Sequence, residues 1–171
     1  MDAARARAAR ARAELVTSLY LVRHAIAENR DAERWPDDAL RPLTKDGERK
    51  FRRAARGLRE IVPTVDVVLA SPYVRAWRTA EILHEEAKWP APKREERLEA
   101  WRDPSDGVAL ADGEGSIALV GHEPYLSRLV SLLLTGDDDK VHIDFKKGGV
   151  ILLEDKVLRW YATPKMLVAI R

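Results

Sequence analysis

Short apolar runs alternate with longer amphipathic stretches from Leu19 to the end of the chain. Leu19-Tyr20-Leu21-Val22, Val65–Ala70 and Ile117–Val120 are runs of strand length without internal alternation, which predicts strands buried on both faces. Between the first two, Thr44 is placed to cap a helix with Asp46 and Glu48 in its first turn, where acidic groups complement the helix dipole. Phe51, Ala54, Ala55, Leu58 and Ile61 recur at helical spacing and predict its buried face. Arg49, Lys50, Arg53, Arg56 and Arg59 predict a solvated basic face. Ser71-Pro72 predicts a second helix start, Ser as cap and Pro at the first helical position, running to about Ala87 before Trp89-Pro90. Pro124 opens a third helix carrying Leu126, Leu129, Val130, Leu132 and Leu133, which Gly136 and the aspartates Asp137–Asp139 end. Arg97–Ala100 predicts a short strand, Asp103–Gly115 a flexible connection, and Val150–Leu153 with Val157–Tyr161 a closing hairpin. The strand–helix alternation predicts an α/β fold, a three-layer α/β/α sandwich with a mostly parallel central sheet.

Composition narrows the chemistry. The 171 residues are 46% hydrophobic and 34% charged, enough for one packed domain and against global disorder. The absence of cysteine excludes a disulfide framework, a zinc ribbon, a Cys nucleophile and an iron–sulfur site, and is compatible with a reducing cytoplasm. Lys and Arg number 30 against 28 Asp and Glu; without the Ala/Arg tract Met1–Glu14 the balance is 26 to 26. A neutral body does not indicate a nucleic-acid surface. No apolar run reaches the roughly 18 residues of a membrane span, and the N-terminal tract lacks the apolar stretch of a secretory signal. Residues 1–15 are expected to be a flexible extension or frayed helix; the alternative weighed for them is an Arg-rich targeting peptide.

In an open α/β sheet, ligands bind outside the carboxyl ends of the strands. The first predicted strand ends in Arg23-His24. The second ends in Ser71-Pro72, with Arg75 in the first turn beyond. The third ends in Gly121-His122-Glu123-Pro124. An Arg in the first turn of a helix opposes the dipole, and makes sense where an anion is shared between guanidinium and backbone N–H groups. Two Arg, two His and two helix starts at one sheet edge predict a pocket for a tetrahedral dianion with a nucleophile inside, and therefore phosphoryl transfer through histidine.

Leu21-Val22-Arg23-His24-Ala25, Ser71-Pro72-Tyr73-Val74-Arg75-Ala76-Trp77-Arg78-Thr79-Ala80 and Val120-Gly121-His122-Glu123-Pro124 resemble the three signatures of the histidine phosphatase superfamily, with its phosphoglycerate-mutase-like fold. Arg41-Pro42-Leu43-Thr44 with Gly47, and the ending Trp160-Tyr161-Ala162-Thr163-Pro164-Lys165, resemble its short bacterial branch, the SixA-type phosphohistidine phosphatases. The resemblance covers about Leu19 to the C-terminus and implies one such domain over residues 16–171. It implies that His24 is the nucleophile that becomes phosphorylated, that Arg23 and Arg75 clamp the phosphoryl oxygens, and that His122 contacts the same group and stabilises developing charge. Arg23, Arg75 and His122 are thus also the substrate-binding residues, and no metal or other cofactor is implied.

Two departures bear on the reaction. Ala25 stands where the superfamily usually has Gly, and the stretch from Glu99 to His122 is short where relatives carry another helix. The general acid is accordingly open: Glu99 is the best positional candidate, ahead of Glu28 and Asp103. Phosphohistidine needs little acid assistance because imidazole leaves readily, whereas an alkyl ester needs a well-placed donor. The expected function is hydrolysis of phosphohistidine on a cytoplasmic protein partner. The rivals are a general phosphatase for small esters or phosphopeptides, and a phosphate-binding regulatory module without activity; the chain lacks room for the segments of a phosphoglycerate mutase. His84 and His142 fit no motif. Trp35 and Trp101 fall in loops expected to rim the pocket, and Trp77, Trp89 and Trp160 are core candidates.

Overall fold

A computed structural model describes residues 17–170; the expected N-terminal extension lies outside the described residues. Six strands form one sheet: β1 (Ser18–Arg23), β2 (Val67–Ala70), β3 (Lys93–Arg94), β4 (Ser116–Gly121), β5 (Val150–Glu154) and β6 (Val157–Ala162), in the order β3-β2-β4-β1-β5-β6. The β3-β2-β4-β1 half is parallel, and β5 and β6 add the expected hairpin to the far edge, antiparallel at both of its pairings.

Both faces of the sheet are covered, which is why its strands read as continuous apolar runs. Tyr20, Val22, Val68, Ala70, Ala118 and Val120 turn to one core, with α1 (Lys45–Ile61), α2 (Val74–Ile82) and α4 (Pro164–Ala169). Leu19, Leu21, Ile117, Leu119, Ile151 and Leu153 turn to the other, under α3 (Tyr125–Thr135). The three-layer expectation therefore holds. Helix α1 starts as the sequence predicts, with Thr44 Oγ1 accepting from the Gly47 amide. It approaches α4 so closely that a Cβ on Gly57 would stand 1.8 Å from the Leu167 carbonyl oxygen, so this crossing tolerates only glycine. No helix among the described residues is long and apolar enough to cross a membrane.

Several sequence expectations are corrected. Helix α2 begins at Val74 with Tyr73 at its cap position, two residues later than Ser71-Pro72 predicts; the Ser71 hydroxyl accepts from the Tyr73 amide and also bonds His122. Beyond Ile82 the chain continues through a wider π turn over Leu83–Ala87, ending at Lys88 in the left-handed region. Arg97–Ala100 is not a strand. The edge strand is Lys93–Arg94, and Glu96–Leu98 forms a 3-10 turn whose amide at Arg97 is capped by the Glu95 carboxylate. The stretch from Asp103 is not a loose connection either. Asp103 caps a 3-10 helix over Pro104–Leu110, where Pro104, Gly107 and Leu110 are buried against α3. Ile61, expected in the core, is 45% exposed at the end of α1. On the expected solvated face, Arg56 joins Arg52 in pairing with Glu86, and Arg78 links Glu48, Glu81 and Glu85, tying α1 to α2.

Candidate active site

Strand register assembles the site. Arg23 pairs with Gly121 across β1 and β4, and Ala70 pairs with Val120 across β2 and β4. One residue further on, the His24 amide donates to the Gly121 carbonyl (2.9 Å) and the Ser71 amide to the Val120 carbonyl (3.0 Å). His24, His122 and Ser71 therefore leave the sheet side by side, and the two imidazole rings stand 5.4 Å apart. From the other side, the amide of Gly148 donates to the carbonyls of both Arg23 and His24 (3.0 Å each). Gly148 has φ of +76°, a conformation that glycine adopts without strain.

A pocket of about 270 Å³ opens above these strand ends, lined by Arg23, His24, Arg75 and His122, the four residues expected to carry the reaction. Each is held. His24 Nδ1 lies 2.7 Å from the Ala25 carbonyl; a carbonyl only accepts, so Nδ1 carries the proton and Nε2 keeps its lone pair. The Ser71 hydroxyl accepts from the Tyr73 amide (3.3 Å) and is hydrogen-bonded to His122 Nε2 (2.8 Å), which fixes the orientation of that neutral ring. Arg75 is 2% exposed. Its two terminal nitrogens donate to the carbonyl (2.7 Å) and the carboxylate (2.8 Å) of Asp38. Arg23 donates to the Phe145 carbonyl (2.5 Å).

After these bonds, three buried nitrogens of these four residues have no hydrogen-bond partner among the described residues: Arg23 Nε, Arg75 Nε and His122 Nδ1. Buried polar atoms left unmatched are costly, so a fold that keeps three beside one pocket, two of them arginine donors, is shaped for a polar group arriving from outside.

Of the rest of the wall, the sequence singles out only Glu28 as a candidate. Arg41, seen only as part of a motif, is buried in the pocket, with Nε on Asp38 (2.8 Å) and a terminal nitrogen on the Glu28 carbonyl (2.7 Å). Asp38, whose desolvation raises its pKa but is outweighed by Arg41 and Arg75, which lower it, spans the two guanidinium groups. Lys147 also lines the pocket, and burial together with Arg23 and Arg41 lowers its pKa. Glu123 lines the pocket too, and accepts from the Ser127 amide (2.9 Å) and hydroxyl. Burial raises its pKa against those bonds.

Glu99, by contrast, is not part of this wall. Its carboxylate lies 3.9 Å from Arg102 Nε, and it is the next residue, Ala100, that reaches the pocket. Asp103 is occupied as a cap, and Glu28 lines the pocket with its side chain 3.7 Å from Arg34. Elsewhere, His84 is exposed with Nδ1 2.7 Å from the Trp89 carbonyl, His142 is exposed, and Trp89 is fully buried.

The sequence profile of the histidine phosphatase superfamily (branch 1) matches residues 19–103, which contain Arg23, His24 and Arg75 and stop before His122. An uncharacterized protein of Picosynechococcus sp. is 31% identical over 150 residues, 82% of this chain and 87% of that protein. The chain belongs to the histidine phosphatase superfamily. Among solved structures, the protein histidine phosphatase SixA complexed with tungstate has the same fold: TM-score 0.74 at 24% identity, over 86% of this chain and 97% of that one. The SixA structure from Agrobacterium tumefaciens matches with TM-score 0.72 at 20% identity, over 86% and 98%.

In this histidine phosphatase both site histidines are neutral at pH 7. Burial, with Arg75, Arg23 and Arg41 nearby, pushes His24 down to about 3 despite the bond to Ala25. Burial, with His24 and Arg75, pushes His122 down to about 2. Histidine ordinarily titrates near 6.5, so below that pH the unfolded chain binds protons that the folded protein refuses. Stability is therefore full above pH 6.5 and lost as pH falls, by about 1.4 kcal/mol per pH unit for each histidine between about pH 6 and 4. Urea unfolding at a series of pH values is expected to show this slope, and His122→Gln to remove one histidine's share. An unchanged slope in the variant would mean that His122 is not buried neutral.

Proposed function

We propose that the protein hydrolyses phosphohistidine on a protein partner through a covalent phosphohistidine intermediate at His24. The three unpartnered nitrogens around His24 carry this reading: they match a tetrahedral oxyanion held against a nucleophile. In the first step His24 Nε2 attacks phosphorus while the N–P bond to the substrate imidazole breaks, and that ring leaves carrying the bond's electrons and takes up a proton. Water then attacks the phosphorus on His24, returning the lone pair to Nε2 and releasing inorganic phosphate. Arg23 and Arg75 hold the equatorial oxygens, and His122 contacts the same group as charge builds. The arginines around the pocket supply the positive charge that a metal ion provides in other phosphoryl-transfer sites.

A second reading, a general phosphatase for small esters, is favoured by one observation: Glu123 is a carboxyl group in the pocket wall whose pKa burial raises. Hydrolysis of phosphohistidine, p-nitrophenyl phosphate and sugar phosphates in EDTA separates the two. The expected result is fast metal-independent cleavage of phosphohistidine with poor turnover of alkyl phosphates, and little change on any substrate in Glu99→Gln. Fast alkyl phosphate hydrolysis that falls by about 10²- to 10⁴-fold in Glu123→Gln or Glu99→Gln would make the protein a general phosphatase instead.

A further inference from the structure

The tryptophans that the sequence placed at the pocket rim share a second concavity. A groove of about 480 Å³, larger than the phosphate pocket, is walled by Trp35, Pro36, Tyr73 and Trp101, with Asp38 in its lining. Arg30 and Ala100 belong to both, so the two are continuous. Tyr73 joins them physically: its ring meets His122 edge-on at 5.0 Å and carries the Arg75 guanidinium at 5.1 Å. Whatever presents a phosphoryl group to His24 therefore has this groove beside it.

The groove's side chains are not spent on the fold. Trp101 is 67% exposed, with only the neighbouring Arg102 guanidinium over its ring at 4.4 Å. Trp35 is half-buried, and its indole Nε1 is buried without a hydrogen-bond partner among the described residues. A large aromatic left in water forgoes one of the largest gains from burial, and a buried N–H without an acceptor costs free energy. Tryptophan, tyrosine and arginine around a concave surface are also the residues that dominate binding energy at protein–protein contacts. A lone imidazole ring is far smaller than this volume, so the groove has room for chain on either side of a phosphorylated residue.

We propose that the Trp35–Trp101 groove docks the polypeptide segment flanking the phosphohistidine of a protein substrate, taking an apolar or planar side chain between the tryptophans. This rests on the phosphohistidine reading above. The test uses the full chain, Trp101→Ala and Trp35→Ala, each of which removes one ring from the groove wall. The substrates are a histidine-containing protein phosphorylated with phosphoramidate, phosphoramidate itself and p-nitrophenyl phosphate. The expected result is a KM for the phosphoprotein that rises at least about tenfold more than the KM for phosphoramidate in either variant, with kcat little affected. Parallel changes on phosphoprotein and phosphoramidate would overturn the groove alone. A loss selective for p-nitrophenyl phosphate would overturn it in favour of a small aromatic leaving group. Wild-type protein that cleaves neither N–P substrate would overturn the functional reading, and the docking proposal with it.

Discussion

His24→Ala is expected to lower turnover of phosphohistidine by on the order of 10⁶, the size of loss seen when a covalent nucleophile is deleted from a protease, and to abolish any phosphoenzyme. No neighbour is placed to substitute. His122 has its ring held by the Nε2–Ser71 bond, while every other polar group on the pocket wall is a cation, a carboxylate or the Asn29 amide. The fold is expected to survive, because His24 makes its one side-chain bond to the carbonyl of the next residue and holds no other element in place. Binding of inorganic phosphate should persist in the variant, since Arg23, Arg75 and His122 remain. Phosphoenzyme at the wild-type level in His24→Ala would remove His24 from the nucleophile's role.

Arg75→Lys keeps the charge and is nevertheless expected to cost about 10² or more in kcat/KM, comparable to loss of one oxyanion donor. The guanidinium does two things at once. Its terminal nitrogens hold the carbonyl and carboxylate of Asp38, and its Nε remains unpartnered among the described residues. A lysine ammonium has no planar fork with which to bind Asp38 and an oxyanion in fixed directions. Burial lowers the pKa of Arg75, with Arg41 adding to that effect and Asp38 opposing it. A lysine at the same place, with an ordinary pKa about two units lower, would lose its proton more readily. The defect should therefore deepen at alkaline pH, and steady-state kinetics across pH 6 to 9 would show it. Near-normal kinetics would place Arg75 outside the reaction.

The part of the site that was legible in the sequence lies immediately beyond buried strands. Arg23-His24 and Gly121-His122 each follow an uninterrupted apolar run, and parallel pairing brings such strand ends together whatever the loops do. Arg75 was legible for a related reason, as a cation at a helix start where it fits only with an anion. Asp38 and Lys147 were not, because what makes them part of the site is long-range. Asp38 reaches Arg75 from a loop returned to β1 by the Ala27–Leu43 bridge, and Lys147 arrives with the turn that Gly148 ties to Arg23 and His24. Ser71 shows half of its role in the sequence: the bond to the Tyr73 amide is local, whereas the bond to a buried imidazole 51 positions away is not. Glu99 was misread with its element: as the end of a strand it would reach the sheet edge, but after the 3-10 turn Glu96–Leu98 it faces Arg102 instead.

The most direct test of the account is to mix the protein with a phosphohistidine-bearing protein, quench at short times in base, where phosphohistidine survives, and map the modified residue by mass spectrometry. The account predicts a transient, acid-labile phosphoryl group on His24 that forms and decays at rates matching release of inorganic phosphate. Phosphate release with no modified His24 at any time, or with the label on another residue, would contradict it.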